Sequence, residues 1–224
     1  MKVSEALATR KSIRAFLPDP VPLETVKRIL TQAARAPSGG NLQPWKVYVL
    51  AGAARDAFVR RIAEERKQHP MGERPEYHIY PLALTEPYRT RRHRIGEAMY
   101  AALGIPREDK GRRHEAFARN WEFFGAPVGM IFTIDRQMEP GQWADLGMFL
   151  QSIMLSAREE GLHTCPQEAW AVFHRVIRDY LKVPENEMIF CGMSLGFADE
   201  TAAVNTFASE RARLEEFAVI RETV

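Results

Sequence analysis

Only two cysteines occur in the 224 residues, Cys165 and Cys191, far apart and without a C-x-x-C pair. That excludes a disulfide framework and a redox dithiol, and it fits a reducing cytoplasm. No stretch approaches ~18 uncharged apolar residues, and Met1-Lys2-Val3-Ser4-Glu5 opens no apolar leader, so a soluble, untargeted chain with no membrane contact is expected. There is no G-x-G-x-x-G, which removes support for a Rossmann nicotinamide site. The six histidines, His69, His78, His93, His114, His163 and His174, show no H-E-x-x-H or short paired spacing, so no zinc site is expected. Charge of either sign is also in short surplus. Lys and Arg number 31 against 29 Asp and Glu, and a balance of +2 does not call for nucleic acid as a partner.

What is present is a chain with 46% hydrophobic and 27% charged residues, enough to bury a full core in one domain. Ser4 is placed to cap a first helix, and Pro22 stands in the first turn of a second. In that second helix Val26, Ile29, Leu30, Ala33 and Ala34 fall on one face, and Pro37 ends it. Trp45 to Leu50 reads as a strand buried on both faces, followed by a helix that turns Phe58, Val59 and Ile62 inward. Residues 68 to 92 hold Pro70, Pro75, Pro81 and Pro87 among three tyrosines, the mark of a long ordered loop or lid. Helical spacing resumes over 93–103 and 107–124, and Val128 to Ile134 is a short apolar strand. Gln142 to Glu160 is apolar around most of its circumference, which predicts a buried or interfacial helix stopped by Gly161. Glu168 to Leu181 reads as a helix and Glu187 to Met193 as a strand. The tail from Thr201 to Val224 has too few apolar residues for a core of its own and must lie on something.

Two segments carry the chemistry. Arg10-Lys11-Ser12-Ile13-Arg14 offers three cations and a hydroxyl within five residues. Ala36-Pro37-Ser38-Gly39-Gly40-Asn41-Leu42-Gln43-Pro44-Trp45 offers backbone N–H groups, side-chain amides and a glycine pair that lets a ligand approach. Either alone is more often a solvated helix end or a plain turn. Together they suit a phosphorylated heterocycle and point to a flavin nucleotide. Gly192-Met193-Ser194-Leu195-Gly196 matches the hydrolase G-x-S-x-G elbow, but the last histidine, His174, precedes Ser194, so the triad order fails. Arg89-Thr90-Arg91-Arg92-His93-Arg94 is the densest basic run. It could attract a nicotinamide phosphate or nucleic acid, yet such runs are usually solvated.

Arg10 to Phe16, Ala36 to Trp45, Cys165-Pro166-Gln167-Glu168 and Gly192 to Gly196, in this order, resemble the FMN-dependent nitroreductase family from near the first residue to the tail. Ala126-Pro127-Val128, Gln142-Trp143 and Cys165 to Trp170 are most similar to its nitrobenzene and nitroaromatic reductase branch. The resemblance implies an α+β fold: a three-layer α/β/α sandwich with a mixed, mostly antiparallel sheet, intertwined as a homodimer. Residues 1–200 would form the FMN-binding domain, with 68–125 as a lid shaping the substrate pocket, and 201–224 would be an arm on the partner. It also implies that Arg10 and Ser12 meet the FMN phosphate, Lys11 the phosphate or ribityl chain, and Arg14 the ribityl chain and the N1 edge of the flavin. Pro37, Ser38, Gly39 and Asn41 would come from the other subunit. Pro166, Gln167 and Glu168 would lie at flavin N5, and Arg211, rather than Arg213, would be the C-terminal phosphate cation. NADH or NADPH would donate a hydride to FMN in a ping-pong cycle, and a small electron-poor acceptor, most simply a nitroarene, would receive it. Reductive dehalogenation, enone reduction, or flavin or nucleic-acid binding without turnover stand as alternatives. Aromatic content places substrate contacts in the Tyr77 to Tyr88 loop and the Trp121 to Phe124 turn.

Overall fold

The computed structural model describes residues 1–222. Four strands, β1 (Lys46–Ala51), β2 (Val128–Asp135), β3 (His163–Gln167) and β4 (Glu187–Gly196), form one sheet in the order β1-β2-β4-β3. All three pairings are antiparallel. The mixed character comes from a parallel bridge, Ser12 to Thr164, that lays the N-terminal segment beside β3.

Helices cover both faces, as a sheet with apolar residues on two sides requires. On one face Val26, Ile29 and Ala33 of α2 (Leu23–Ala33) and Leu146, Phe149 and Ile153 of α6 (Pro140–Glu159) pack on Met130, Phe132 and Met193. On the other, Phe58 and Ile62 of α3 (Gly52–Gln68), Ile177 of α7 (His174–Leu181) and the aromatic rings of two 3-10 turns pack on Ile131 and Ile189. The alternation of Met130 and Phe132 against Ile131 is the two-residue period of a strand. The layers are therefore α/β/α, with α1 (Val3–Thr9), α4 (Tyr88–Ala102) and α5 (Lys110–Ala118) completing the molecule.

Several local expectations change. Ser4 lies inside α1, whose N-cap is Lys2. β1 is an edge strand in which Leu50 alone is buried, since an edge has no second neighbour to shield it. The lid holds more helix than expected: α3 runs to Gln68 and α4 starts at Tyr88. β3 carries Pro166, which hides a strand from a propensity reading and is tolerated because this strand is the other edge. The 168–181 helix breaks into a 3-10 turn, Glu168–Phe173, followed by α7.

A second 3-10 turn, Arg119–Gly125, ends the 107–124 pattern with Phe123 and Phe124 both at φ above +50°. Left-handed backbone at two bulky residues costs about 1–3 kcal/mol each and needs packing to hold it. The Phe123 ring stacks on Trp170 at 4.3 Å and sits where a Cβ on Gly129 would come within 2.3 Å. Trp170 in turn lies 2.3 Å from the place a Cβ on Gly192 would take. These glycines are seats for aromatic rings, and the rings fix the two turns that border the cavity described next.

Candidate active site

A cavity of about 790 Å³ opens between the end of β3, the Phe190-Cys191 stretch of β4, the Arg119–Gly125 turn and α4. That volume is within the usual ~300–1,000 Å³ range of ligand sites. Four separated segments deliver its polar groups: Arg14, the Pro166-Gln167-Glu168 turn, Asn120 and Arg92. Tyr80 lines it as an exposed ring, and Trp121 and Phe124 back it as almost fully buried ones. Two other tyrosines of that loop do something else. Tyr77 is turned inward, its hydroxyl donating to the Phe190 carbonyl at 2.6 Å, and Tyr88 is exposed.

The Pro166-Gln167-Glu168 turn is rigidly held. Gln167 is buried, its Oε1 accepting from Ser194 Oγ at 2.7 Å and its Nε2 donating to the Asn120 carbonyl at 2.7 Å. Its side chain is thus fully occupied within the protein, and what the turn presents to the cavity is backbone together with Glu168. Ser194, fully buried against Gln167, is a structural donor and no nucleophile, which removes the hydrolase reading. Burial pushes the Glu168 carboxyl above the usual carboxylate range. Cys191 lines the cavity as a fully buried thiol, raised well above its ordinary value first by burial and then by Glu168.

The N-terminal cations converge beside this floor. Arg14 lines the cavity, and Arg10 is partly buried close enough to Arg211 that, after burial itself, the Arg211 charge lowers its guanidinium pKa. Arg211 folds back on Ser209, donating to its carbonyl and, at 2.6 Å, to its Oγ. The Arg213 backbone N–H donates to Glu216 Oε1 in the turn Leu214–Glu216, and it is the Arg211 charge that acts on Arg10. Among the described residues, Arg10, Lys11, Arg14 and Arg211 have no carboxylate partner. Ser12 bridges to β3, and its neighbour Ile13 donates to the Thr164 carbonyl at 3.0 Å.

Asn205, unsuspected from the sequence, pins the segment. Its Oδ1 accepts from the Arg14 N–H and its Nδ2 donates to the Ala15 and Asp199 carbonyls, each at 2.8 Å. With Val204 it is buried in the body of the molecule, so the exposed arm begins after it. From there the arm runs along α4 of its own chain, Glu210 pairing with Arg94 and Glu216 with Arg91, each at 3.0 Å. Thr223 and Val224 of the expected arm lie outside the described residues.

Pro37, Ser38, Gly39 and Asn41 are not brought to the cavity of their own chain. The Gly39 N–H donates to Asp145 Oδ2 of α6 at 3.0 Å, Ser38 Oγ accepts from the Gln43 N–H, and Gly40, Asn41 and Gln43 all take positive φ. The loop is a sharply turned knuckle, exposed at Pro37 and Asn41. Among the described residues there is no cluster of potential metal ligands and no helix long and apolar enough to cross a membrane.

A three-layer α/β/α body with a cation-rich cavity at the end of β3 defines the class, and the chain belongs to the Nitroreductase family, whose model matches residues 7–197. Among its relatives, the chloronitrobenzene nitroreductase of Comamonas testosteroni is 43% identical over 215 residues, 96% of this chain and 95% of the relative. The nitrobenzene nitroreductase of Ectopseudomonas oleovorans is 42% identical over the same share of each. The crystal structure of the FMN- and NADPH-dependent nitroreductase NfnB from Sphigopyxis sp. strain HMH superposes with a TM-score of 0.96 at 44% identity, covering all of both chains.

Proposed function

We propose that the protein is an FMN-dependent NAD(P)H nitroreductase acting on nitroarenes, carrying the nitro group to the nitroso and hydroxylamine stages. The observation that carries this reading is the gathering of Arg14 and the Pro166-Gln167-Glu168 turn in one cavity, beside a partly buried Arg10 and an exposed Arg211 that both lack acidic partners among the described residues. Two neighbouring cations without an anion are unfavourable, and a phosphate between them converts repulsion into charge-assisted hydrogen bonds. The residues therefore fit FMN: Arg10, Lys11, Ser12 and Arg211 at the phosphate, Arg14 at the N1 edge, and the backbone of Pro166, Gln167 and Glu168 beside the ring. Flavin, when bound, supplies two-electron hydride transfer.

The chain's own part is to bind, orient and exclude water. Arg14, fixed through its backbone by Asn205, sets a cation where negative charge develops on reduction. Gln167, clamped by Ser194 and Asn120, holds the turn at the centre of the floor. The exposed Tyr80 ring offers a flat face for an aromatic acceptor or a nicotinamide ring, over a floor backed by the buried Trp121 and Phe124, so one pocket serves donor and acceptor in turn. The exposed Pro37 to Asn41 knuckle, facing away from its own cavity, is read as the contribution of each subunit to its partner in a homodimer, with α6 in the interface. Residues 68–125 are read as the lid. Two buried free cysteines suit the cytoplasm.

The test is direct. Purified protein is expected to be yellow, to release FMN on denaturation, and to oxidise NADH or NADPH at a rate that depends on added nitrobenzene. Colourless protein that takes up no FMN would overturn the reading.

A further inference from the structure

The cavity face of α4 is a helical stripe: Arg92, Ile95, Gly96, Met99, Tyr100 and Leu103, at i, i+3, i+4, i+7, i+8 and i+11. One member of that stripe is charged. The other arginines of the same run are all answered by acids of the chain itself: Arg89 by Glu86 at 2.8 Å, Arg91 by Glu216 and Arg94 by Glu210 at 3.0 Å. Arg92 instead lies with its guanidinium carbon 3.9 Å above the Tyr80 ring, and both residues line the cavity. Stacking orients the guanidinium plane while leaving its edge N–H groups free, the arrangement that recognises carboxylate or phosphate oxygens. No carboxylate pairs with Arg92 among the described residues. Arg119, also on the lining, spends one N–H on the Phe124 carbonyl at 3.5 Å and adds positive potential nearby.

We propose that Arg92 is a specificity-determining residue that recognises an anionic oxygen group on the molecule entering the cavity. Two sources carry that chemistry: a carboxylate on the ring of an aromatic acceptor, and the phosphate that NADPH carries on its adenosine ribose and NADH lacks. This deepens the function proposed above and rests on it for the identity of the cavity as the place where both molecules bind.

Calorimetric binding to the protein as purified separates the possibilities without turnover. Benzoate and benzamide share a shape and differ in charge, as NADP⁺ and NAD⁺ share a scaffold and differ by one phosphate. The wild-type protein is expected to prefer the more anionic member of at least one pair. Arg92→Met should weaken that member by about tenfold, the scale of one charge-assisted hydrogen bond at a partly screened site, and leave benzamide or NAD⁺ unchanged. Arg92→Lys should restore part of the preference, and Arg91→Met, which removes a cation already held by Glu216, should not alter it. Loss confined to benzoate assigns the carboxylate source, and loss confined to NADP⁺ assigns the phosphate source; both uphold the proposal. Equal weakening of charged and neutral ligands, or no change in either pair, overturns it. A protein that shows the Arg92-dependent preference but oxidises no NAD(P)H with nitroarenes would sink the catalytic reading and leave this one standing.

Discussion

Gln167 and His163, residues of the same strand, show how much of the molecule rests on side chains tied to partners within the protein. Ser194→Ala would leave the buried Gln167 Oε1 without its 2.7 Å donor. An unmet buried acceptor costs about 1–3 kcal/mol, so the unfolding free energy read from a urea titration should fall by that amount while the flavin spectrum, which reports backbone and cations, changes little. His163 carries a different signature. It accepts from Arg158 at 2.8 Å, and burial first, then Arg158 and Lys11, hold it at about 4 instead of its ordinary 6.5. Between pH 6.5 and about 4 the unfolded chain takes up a proton that the folded chain refuses, so this residue's share of stability is lost as the pH falls through that window. His163→Gln keeps an acceptor for Arg158 and removes the titration. Denaturation of both proteins across the window should show a shallower decline for the variant; parallel curves would remove the role given to His163. Arg10, Ser12 and Arg14 stand out in the sequence as a local cluster of cations and a hydroxyl, whereas Glu168 enters only through the family resemblance. Asn205 was not legible there, because two of its three bonds reach residues about 190 positions away and nothing in its own neighbourhood marks it.

At the scale of elements, periodicity identified the central strand β2, the amphipathic α2 and the buried α6, each long and regular enough to declare its period. It failed where tertiary packing overrides local preference. The Glu168–Phe173 and Arg119–Gly125 turns read as helix, yet Trp170 and Phe123 are drawn out of helical register to stack on each other over Gly192 and Gly129. Of these, Gly192 stood out in the sequence only within the Gly192 to Gly196 segment, as a hydrolase-like pattern and part of the family resemblance, and Gly129 carried no signal at all. Their service to the aromatic rings gives an element-level prediction. Gly192→Ala would put a methyl 2.3 Å from Trp170 Cδ1 in a fully buried layer that cannot yield as a surface would. The expected cost is that of overpacking, about 1–3 kcal/mol in denaturant unfolding. Because Cys191 and the turn at Glu168 border the cavity, flavin affinity should fall with it. A variant of wild-type stability would mean that Trp170 is not seated on this strand. The basic run of α4 was equally ambiguous in sequence. Its spacing concealed two faces, one paired with acids of the chain and one, at Arg92, turned to the cavity.

The whole molecule poses the question of what lies opposite the knuckle at Pro37 to Asn41. Within one chain its polar groups are exposed and the Gly39 N–H is anchored to α6, while Arg14 opens on a separate cavity. A homodimer that shares each site explains both facts, and it makes a prediction that a self-contained site does not. Arg14→Ala alone should weaken FMN binding by the worth of a charge-assisted contact, about 1.5–3 kcal/mol, and Asn41→Ala should weaken it through the opposite half of the site. When the two variants are unfolded together and refolded as mixed subunits, the two lesions meet in one site of each heterodimer and the other site is assembled from intact halves. Tight FMN binding should therefore reappear in the mixture, although neither parent shows it, and titration of the refolded protein with FMN should resolve a tight class of sites. If both residues served the cavity of their own chain, every site in the mixture would still carry one lesion and no tight class would emerge. The flavin titration thus reads the quaternary arrangement through chemistry that only a correctly apposed pair of subunits can restore.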